Sequence, residues 1–289
     1  MTDGFAIDAS ASMAEKMFAS FGLVPDERVG AILAAVDADA RYLASDFAPA
    51  THDESDAIAA YERDFLSRFT FHSTVMEGST LSPAETELVL EGEFIPSDDK
   101  SLQDLFSVRG CAEGYDYAQR RIEAEADIDV SFICDVHERT ALDGQPRARG
   151  SLRRIPVFIR GSETTPVAPA KVPEEMERLV YLYEESKAHP LVAAAAFHAM
   201  FENIHPFVDG NGRTGRILLN VMLVRAGYPP IAIKSDARAG YLTALEDWQV
   251  RGNPAPLVEL VCDCVARETQ AHKEVIEQVR ECAQLNGKA

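Results

Sequence analysis

The sequence predicts an all-α protein carrying one small β-hairpin. Three observations lead there. Apolar residues recur at three- and four-residue spacing through most of the 289 residues, capping and glycine stop signals bound those stretches, and only residues 152–160 alternate with a period of two. With 46% hydrophobic and 26% charged residues, the chain is long enough and apolar enough to bury a sizeable core.

The first helix is expected over about 26–47, where Val29, Ile32, Leu33, Val36, Ala40 and Leu43 share a face. A polar break at 52–55 precedes a second helical pattern through Ile58, Tyr61, Phe65, Phe69 and His72. That pattern carries Ser73 and Glu77 one turn apart and stops near Gly78. Ser82-Pro83-Ala84-Glu85 is a capping box with proline at the first helical position, opening a short helix that Gly92 closes. Helices over about 102–125 and 130–142 follow. Residues 144–150 form a loop, and 152–160 read as a strand that Pro156 confines to an edge, with 161–169 completing the hairpin.

Pro173 opens a helix with Met176, Leu179, Val180 and Tyr183 on one face, and His189-Pro190 opens the next, whose alanines 193–196 permit close packing. A helix over 211–226 buries Ile217, Leu218, Val221, Met222 and Val224 and stops at Gly227 before Pro229-Pro230. Two more are expected near 240–250 and 256–282. The chain divides into an N-terminal helical region (1–125), a core (126–230) and a C-terminal helical segment (231–289).

Charge narrows the function. Lys+Arg 28 against Asp+Glu 47 leaves 28 − 47 = −19, which opposes non-specific nucleic-acid binding and attachment to anionic membranes. No apolar run reaches membrane-spanning length, and Met1-Thr2-Asp3-Gly4 lacks a basic leader. Cys111, Cys134, Cys262, Cys264 and Cys282 include no CxxC pair and read as reduced thiols. A cytoplasmic location is expected. His137 has no partner at metal spacing; His198 reads as a packed or interfacial histidine rather than a metal ligand, Trp248 as core and His72 as helix surface.

The chemistry concentrates in residues 205–216, His-Pro-Phe-Val-Asp-Gly-Asn-Gly-Arg-Thr-Gly-Arg. Gly210, Asn211 and Gly212 sit where a helix must begin, so their amides form an anion nest at its positive end. Arg213 and Arg216, three apart, supply planar phosphate clamps. Asp209 beside that nest would repel a phosphate unless a cation bridged them, which Mg²⁺ held by one carboxylate and phosphate oxygens does. His205 is placed to take a proton from an incoming hydroxyl.

This stretch resembles the signature of the Fic family, His-x-Phe-x-Asp/Glu-Gly-Asn-Gly-Arg-x-x-Arg, at every fixed position. The resemblance implies a Fic-type helical bundle and transfer of AMP from ATP to a hydroxyl of a target protein. It makes His205 the base, Asp209 the ligand of Mg²⁺ (or Mn²⁺), and Phe207 a buried anchor. Gly210, Asn211, Gly212 and Arg213 would lie along the α- and β-phosphates, and Arg216 would hold the γ-phosphate. Family members that transfer phosphate have lysine where this chain has Gly210, which favours AMP transfer. Ser73-Thr74-Val75-Met76-Glu77-Gly78 is similar to the family's inhibitory motif in the class that carries it N-terminally. There the glutamate pairs with the second arginine, here Arg216. The hairpin corresponds to the family's flap (about 151–169), in which Leu152, Arg153, Arg154 and Ile155 would receive the target segment as an added strand.

Between 139 and 160 six arginines (139, 147, 149, 153, 154, 160) accompany one acid, Asp143. The expectation is that they steer ATP or an acidic target segment into the site. The function read from the sequence is therefore autoinhibited adenylylation of a Ser, Thr or Tyr hydroxyl on a target protein and on the chain itself. Its partners would be ATP and that target, with neither nucleic acid nor membrane involved. Removal of AMP at the same site, transfer of another nucleotide, and non-catalytic nucleotide sensing are the alternatives. An intact His205 argues against pure sensing. Residues 231–289 show no basic helix-turn-helix, and the sequence leaves room for a homodimer without specifying one.

Overall fold

Side-chain caps written in the sequence set most of the helix starts. The computed structural model describes residues 11–159 and 163–286. The first helix, α1 (Met13–Ser20), opens with a Ser12/Glu15 capping box, and its eight residues are too few to announce themselves by periodicity. Asp26 caps α2 (Glu27–Asp46) through the amide of Val29. Thr51 caps α3 (His52–Met76), with Asp53 and Glu54 in its first turn. The polar residues 52–55, expected as a break, are thus the start of α3, where acids favour the positive end of the helix.

The remaining helices follow the expected order: α4 (Pro83–Glu91), α5 (Asp99–Glu123), α6 (Val130–Thr140), α7 (Val172–Glu184), α8 (Pro190–Ile204), α9 (Asn211–Arg225), α10 (Arg238–Gln249) and α11 (Ala255–Asn286). Gly92 closes α4 in the left-handed conformation, as its position suggested. Helix α8 is the axis of the molecule, with thirteen of its fifteen residues buried. Its alanines let α7, α9, α10 and α11 approach closely, while α9 also packs on α3, α5 and α6. Long α11 lies across α2 and α3. Buried residues from all three stretches of the chain, among them Met17, Phe69, Ile133, Phe197, Ile217, Trp248 and Val265, join one core cluster. None of the described helices is long and apolar enough to cross a membrane.

The hairpin departs from expectation. Residues 151–159 form neither helix nor strand, with a bend at Ile155, and no β-strand occurs among the described residues. A ladder needs a partner backbone, and here one amide, that of Arg153, bonds across to the carbonyl of Pro206 at 2.8 Å. Pro156 removes a donor, and the carbonyls of Ile155 and Val167 are taken by the Arg153 guanidinium. Arg160 and Gly161 lie outside the described residues.

Helices α5 and α6 meet through a glycine. A Cβ at Gly110 would lie 2.4 Å from the carbonyl oxygen of Thr140 and 3.0 Å from that of Arg139, whereas nothing lies within 4 Å of one at Gly30 in α2. Gly110→Ala is expected to destabilise the fold by about 1–3 kcal/mol, because backbone must move to admit the methyl group. Gly30→Ala should stabilise by about 0.5–1 kcal/mol through helix propensity. Urea unfolding of both variants, followed by far-UV circular dichroism, checks the pair of signs.

Candidate active site

The site is built on the reversal from α8 into α9, which occupies only residues 205–210. His205 ends α8 in the left-handed conformation (φ 51°, ψ 61°), a costly choice for a residue with a side chain. Phe207 is fully buried and stacks on the ring of His137, with centroids 3.6 Å apart and planes 3° from parallel. The amide of Gly150 donates to His137 Nδ1 at 2.9 Å, so the proton sits on Nε2 and is donated to the carbonyl of Asp209 at 2.8 Å. Burial pushes the His137 pKa down to about 4, which keeps that tautomer neutral. Asn211 closes the loop: its Oδ1 accepts from the Phe207 amide and its Nδ2 donates to the Phe207 carbonyl, both at 2.9 Å. Gly210, at φ 77°, holds a conformation that side chains rarely adopt, and a Cβ there would press on Ala141 at 3.2 Å.

Helix α9 then starts without a side-chain cap. The anion over its first turn is Glu77, at the C-terminal end of α3. A Cβ at Gly212 would fall 2.2 Å from Glu77 Oε1. That same oxygen accepts from Arg216 Nη2 at 2.7 Å. Arg216 also donates from Nε to the Ser73 hydroxyl (2.9 Å) and from Nη2 to the Ser73 carbonyl (2.8 Å). Burial raises the Glu77 pKa, but the Arg216 charge and hydrogen bond, with Arg213 and Arg238 farther off, bring it below the ordinary value. Arg213 is buried and pairs with Asp143 at 2.8 Å and with the Ser107 hydroxyl at 2.8 Å.

His205 Nδ1 donates to the Glu202 carbonyl at 3.2 Å, which leaves the Nε2 lone pair available. Burial lowers the His205 pKa below the usual 6.5. Glu202 itself is buried, its Oε1 has no hydrogen-bond partner, and burial raises its carboxyl to about 8, so it is largely protonated at neutral pH. Asp209 is exposed and its Oδ1 accepts from the Gly210 amide at 2.7 Å.

Of the residues singled out in the sequence, Ser73, Glu77, His205, Asp209, Gly210, Asn211, Gly212, Arg213 and Arg216 are brought together here. Asn211 points inward, so its contribution toward an anion is its backbone and its hold on the loop. Leu152, Arg154 and Ile155 line an outer cleft of about 1120 Å³ together with Arg147, Pro169 and Val208. The arginine-steering expectation loses members. Arg153 is buried, Arg149 donates to the carbonyls of Leu142 and Gly144, and Arg139 lies over the ring of Tyr117 at 3.8 Å. Arg147 and Arg154 stay exposed.

Three residues escaped the sequence reading. His137 shares the buried face of α6 with Ile133, Val136 and Thr140, a spacing that marks it as inward. Asp143, the lone acid among the arginines, is the partner of Arg213. His72 is not mere surface: its Nδ1 lies 3.1 Å from the Ser235 hydroxyl and accepts from the Ser235 amide at 3.2 Å. The packed reading of His198 agrees with what is seen. It is fully buried and lies between the Gly215 carbonyl and the Tyr241 hydroxyl, at 3.1 and 2.6 Å.

The model of the Fic/DOC family matches residues 127–223, which span α6, the flap, the loop and most of α9. Proteins named protein adenylyltransferase Fic in Drosophila sechellia and Drosophila melanogaster are each 31% identical over 221 residues, 75% of this chain and 44% of theirs. The chain thus spans less than half the length of the curated relatives it matches. Among solved structures, a Fic domain containing signaling protein from Bacteroides thetaiotaomicron has a TM-score of 0.74 at 25% identity, covering 86% of this chain and 97% of its own. Fic-1 of C. elegans has a TM-score of 0.73 at 25% identity, covering 84% and 71%. The twelve-residue loop, the helices that carry it and these likenesses agree, and the chain belongs to the Fic/DOC family.

Proposed function

We propose that this protein is an autoinhibited protein adenylyltransferase, moving AMP from ATP to a Ser, Thr or Tyr hydroxyl of a target protein and of itself. The observation that carries the reading is the carboxylate of Glu77 seated over the uncapped first turn of α9 and paired with Arg216 at 2.7 Å. Helix amides and a buried guanidinium form a place for an anion, and a phosphate chain suits it better than a single carboxylate. The name carried by the Drosophila relatives supports the same reading.

In this reading Gly210, the amides of Asn211 and Gly212 and the Arg213 guanidinium line the triphosphate, and Arg216 takes its end. His205 Nε2, neutral because its ring is buried, accepts the proton of the target hydroxyl as that oxygen attacks the α-phosphorus and pyrophosphate leaves on the opposite side. The described residues contain no cluster of three or more His, Cys, Asp or Glu that could hold a metal alone. The exposed Asp209 at the mouth fits a hard cation that brings phosphate oxygens as its other ligands, so Asp209 would hold Mg²⁺ or Mn²⁺. When bound, that ion neutralises charge on the phosphates. Glu77 blocks the arrangement by competing for Arg216, an intramolecular ligand at high effective concentration.

One feature favours a second reading. The Glu77 side chain is 39% exposed, and a water reaching its carboxylate would be placed for removing AMP. Incubating the unmodified protein with an AMP-bearing target and measuring AMP release separates the two directions.

Glu77→Gly is expected to label itself or a target with AMP while the parent protein labels weakly, and adding His205→Ala should lower the rate by about 10²–10⁴-fold. Mass spectrometry of the labelled products identifies the transferred group. Failure of Glu77→Gly to label with any Mg²⁺ or Mn²⁺ nucleotide would sink the reading. MgATP should also raise the melting temperature of Glu77→Gly more than that of the parent, because the competitor for Arg216 is gone.

The pH profile follows from His205. Burial disfavours the imidazolium, so the base stays neutral to lower pH than a free histidine. The acid limb of kcat/KM for Glu77→Gly should therefore lie below pH 6.5, and a limb at or above that value would remove His205 as the base.

A further inference from the structure

The Arg153 side chain is buried, yet every hydrogen bond its guanidinium makes is to a backbone carbonyl. Nε donates to His205 at 2.6 Å, Nη2 to Val167 at 2.5 Å and to Ile204 at 3.1 Å, and Nη1 to Ile155 at 3.1 Å. Its amide adds the bond to the Pro206 carbonyl. Two of these acceptors, Ile204 and His205, are terminal carbonyls of α8, where the helix dipole is negative and a cation is favoured. Two others, Ile155 and Val167, belong to the two sides of the flap. One planar fork therefore joins both sides of the flap to the helix end that carries His205.

We propose that Arg153 is a positioning residue that locks the flap and the His205 backbone into one unit, fixing the aim of the imidazole. A residue with a side chain at φ 51° keeps that conformation only where its surroundings hold it. The bond from Arg153 Nε lands on the carbonyl of His205 itself and sets the plane of the peptide between His205 and Pro206. The bond from the Arg153 amide fixes the next carbonyl. An acceptor segment resting against the flap would therefore meet the base at a fixed offset, and a base displaced by a fraction of an ångström loses its reach.

The charge of Arg153 also faces the imidazole and disfavours its protonation. Against it stand the Glu202 carbonyl on α8, Glu77 at the end of α3 and Asp209 in the loop, all of which favour the protonated ring. This gives the proposal a signature that a purely structural arginine lacks.

The inference rests on His205 acting as the base, so its test has an arm without activity. Arg153→Gln and Arg153→Lys are made in the Glu77→Gly background. Both should lower kcat for AMP labelling by about 10–100-fold with the KM for MgATP unmoved. In ¹⁵N-histidine-labelled protein, with the His205 resonance assigned through His205→Ala, the ring should titrate at higher pH in Arg153→Gln. In Arg153→Lys, which keeps the charge but not the fork, that titration should move less while kcat still falls. Unchanged kcat and unchanged titration in both variants would overturn the proposal, as would a loss carried wholly by KM. Should Arg153→Gln fail to fold, Arg153→Lys decides on the kcat and KM comparison. If Glu77→Gly labels nothing, adenylyl transfer is the idea that fails, and the titration still judges Arg153.

Discussion

The constraint on which this molecule turns is that α8 must reverse into α9 within six residues while leaving the first amides of α9 free. The usual solution at a helix start is a serine or aspartate side chain bonded to those amides. Here Gly210 holds the position and no side chain caps the helix. The loop is instead held from outside the amide nest. Arg153 binds the end of α8, His137 supports the Asp209 carbonyl from below, and Asn211 ties both ends of the Phe207 peptide unit. Each support comes from a different element, so the surrounding helices exist in part to keep this turn shut without covering it.

An uncapped helix start and a buried arginine together demand an anion. Arg216 is 4% exposed, and a guanidinium so placed without a partner would cost several kcal/mol. Ser73 satisfies two of its donor directions but carries no charge. Glu202 is a buried acid that feels the Arg216 charge, yet its burial keeps it protonated. That choice leaves the net positive charge unspent at the mouth of the nest. Whatever anion arrives there, the Glu77 carboxylate or a phosphate, meets a site that lacks one negative charge.

The helices and the loop were legible in the sequence because their signals are local. Caps, glycine stops and helical periods gave ten of the helices in order, and residues 205–216 concentrate their chemistry within a dozen positions. The pairing of Glu77 with Arg216 was also legible, though only through a resemblance, since nothing in spacing brings residues 77 and 216 together; the two bonds from Arg216 to Ser73 were not. The hairpin was not legible. Alternation marks extended backbone, but a strand also needs a partner, and Pro156 and Arg153 remove the groups that would make one. Arg153 and Arg154 read alike in sequence, yet Arg153 is buried and Arg154 exposed, because side chains of neighbours on an unpaired segment need not share a face. Asp143 and His137 each left a trace, the first as an isolated acid and the second by its place on an apolar helix face.

If Glu77 is the competitor proposed above, its position at the end of α3 lets it leave without dismantling the helix. Glu77 is the residue that ends the helix, held by bonds from its amide to Thr74 and from Gly78 to Val75. Ser73 lies a full turn earlier and is buried, so it keeps its hold on Arg216 when Glu77 turns away. The carbonyl of Met76 is fastened by Arg238 at 3.0 Å, and His72 is fastened to Ser235. With the body of the helix docked by these contacts, displacement of the carboxylate would require a rotation about a few bonds rather than departure of a helix. Under the proposed function, access to the phosphate position would be set at the α3 end, by Glu77, and the aim of the base at the flap end, by Arg153. Arg216 and His205 belong to the two helices joined by the same loop, yet they are held by different elements, so one can be released while the other stays in register.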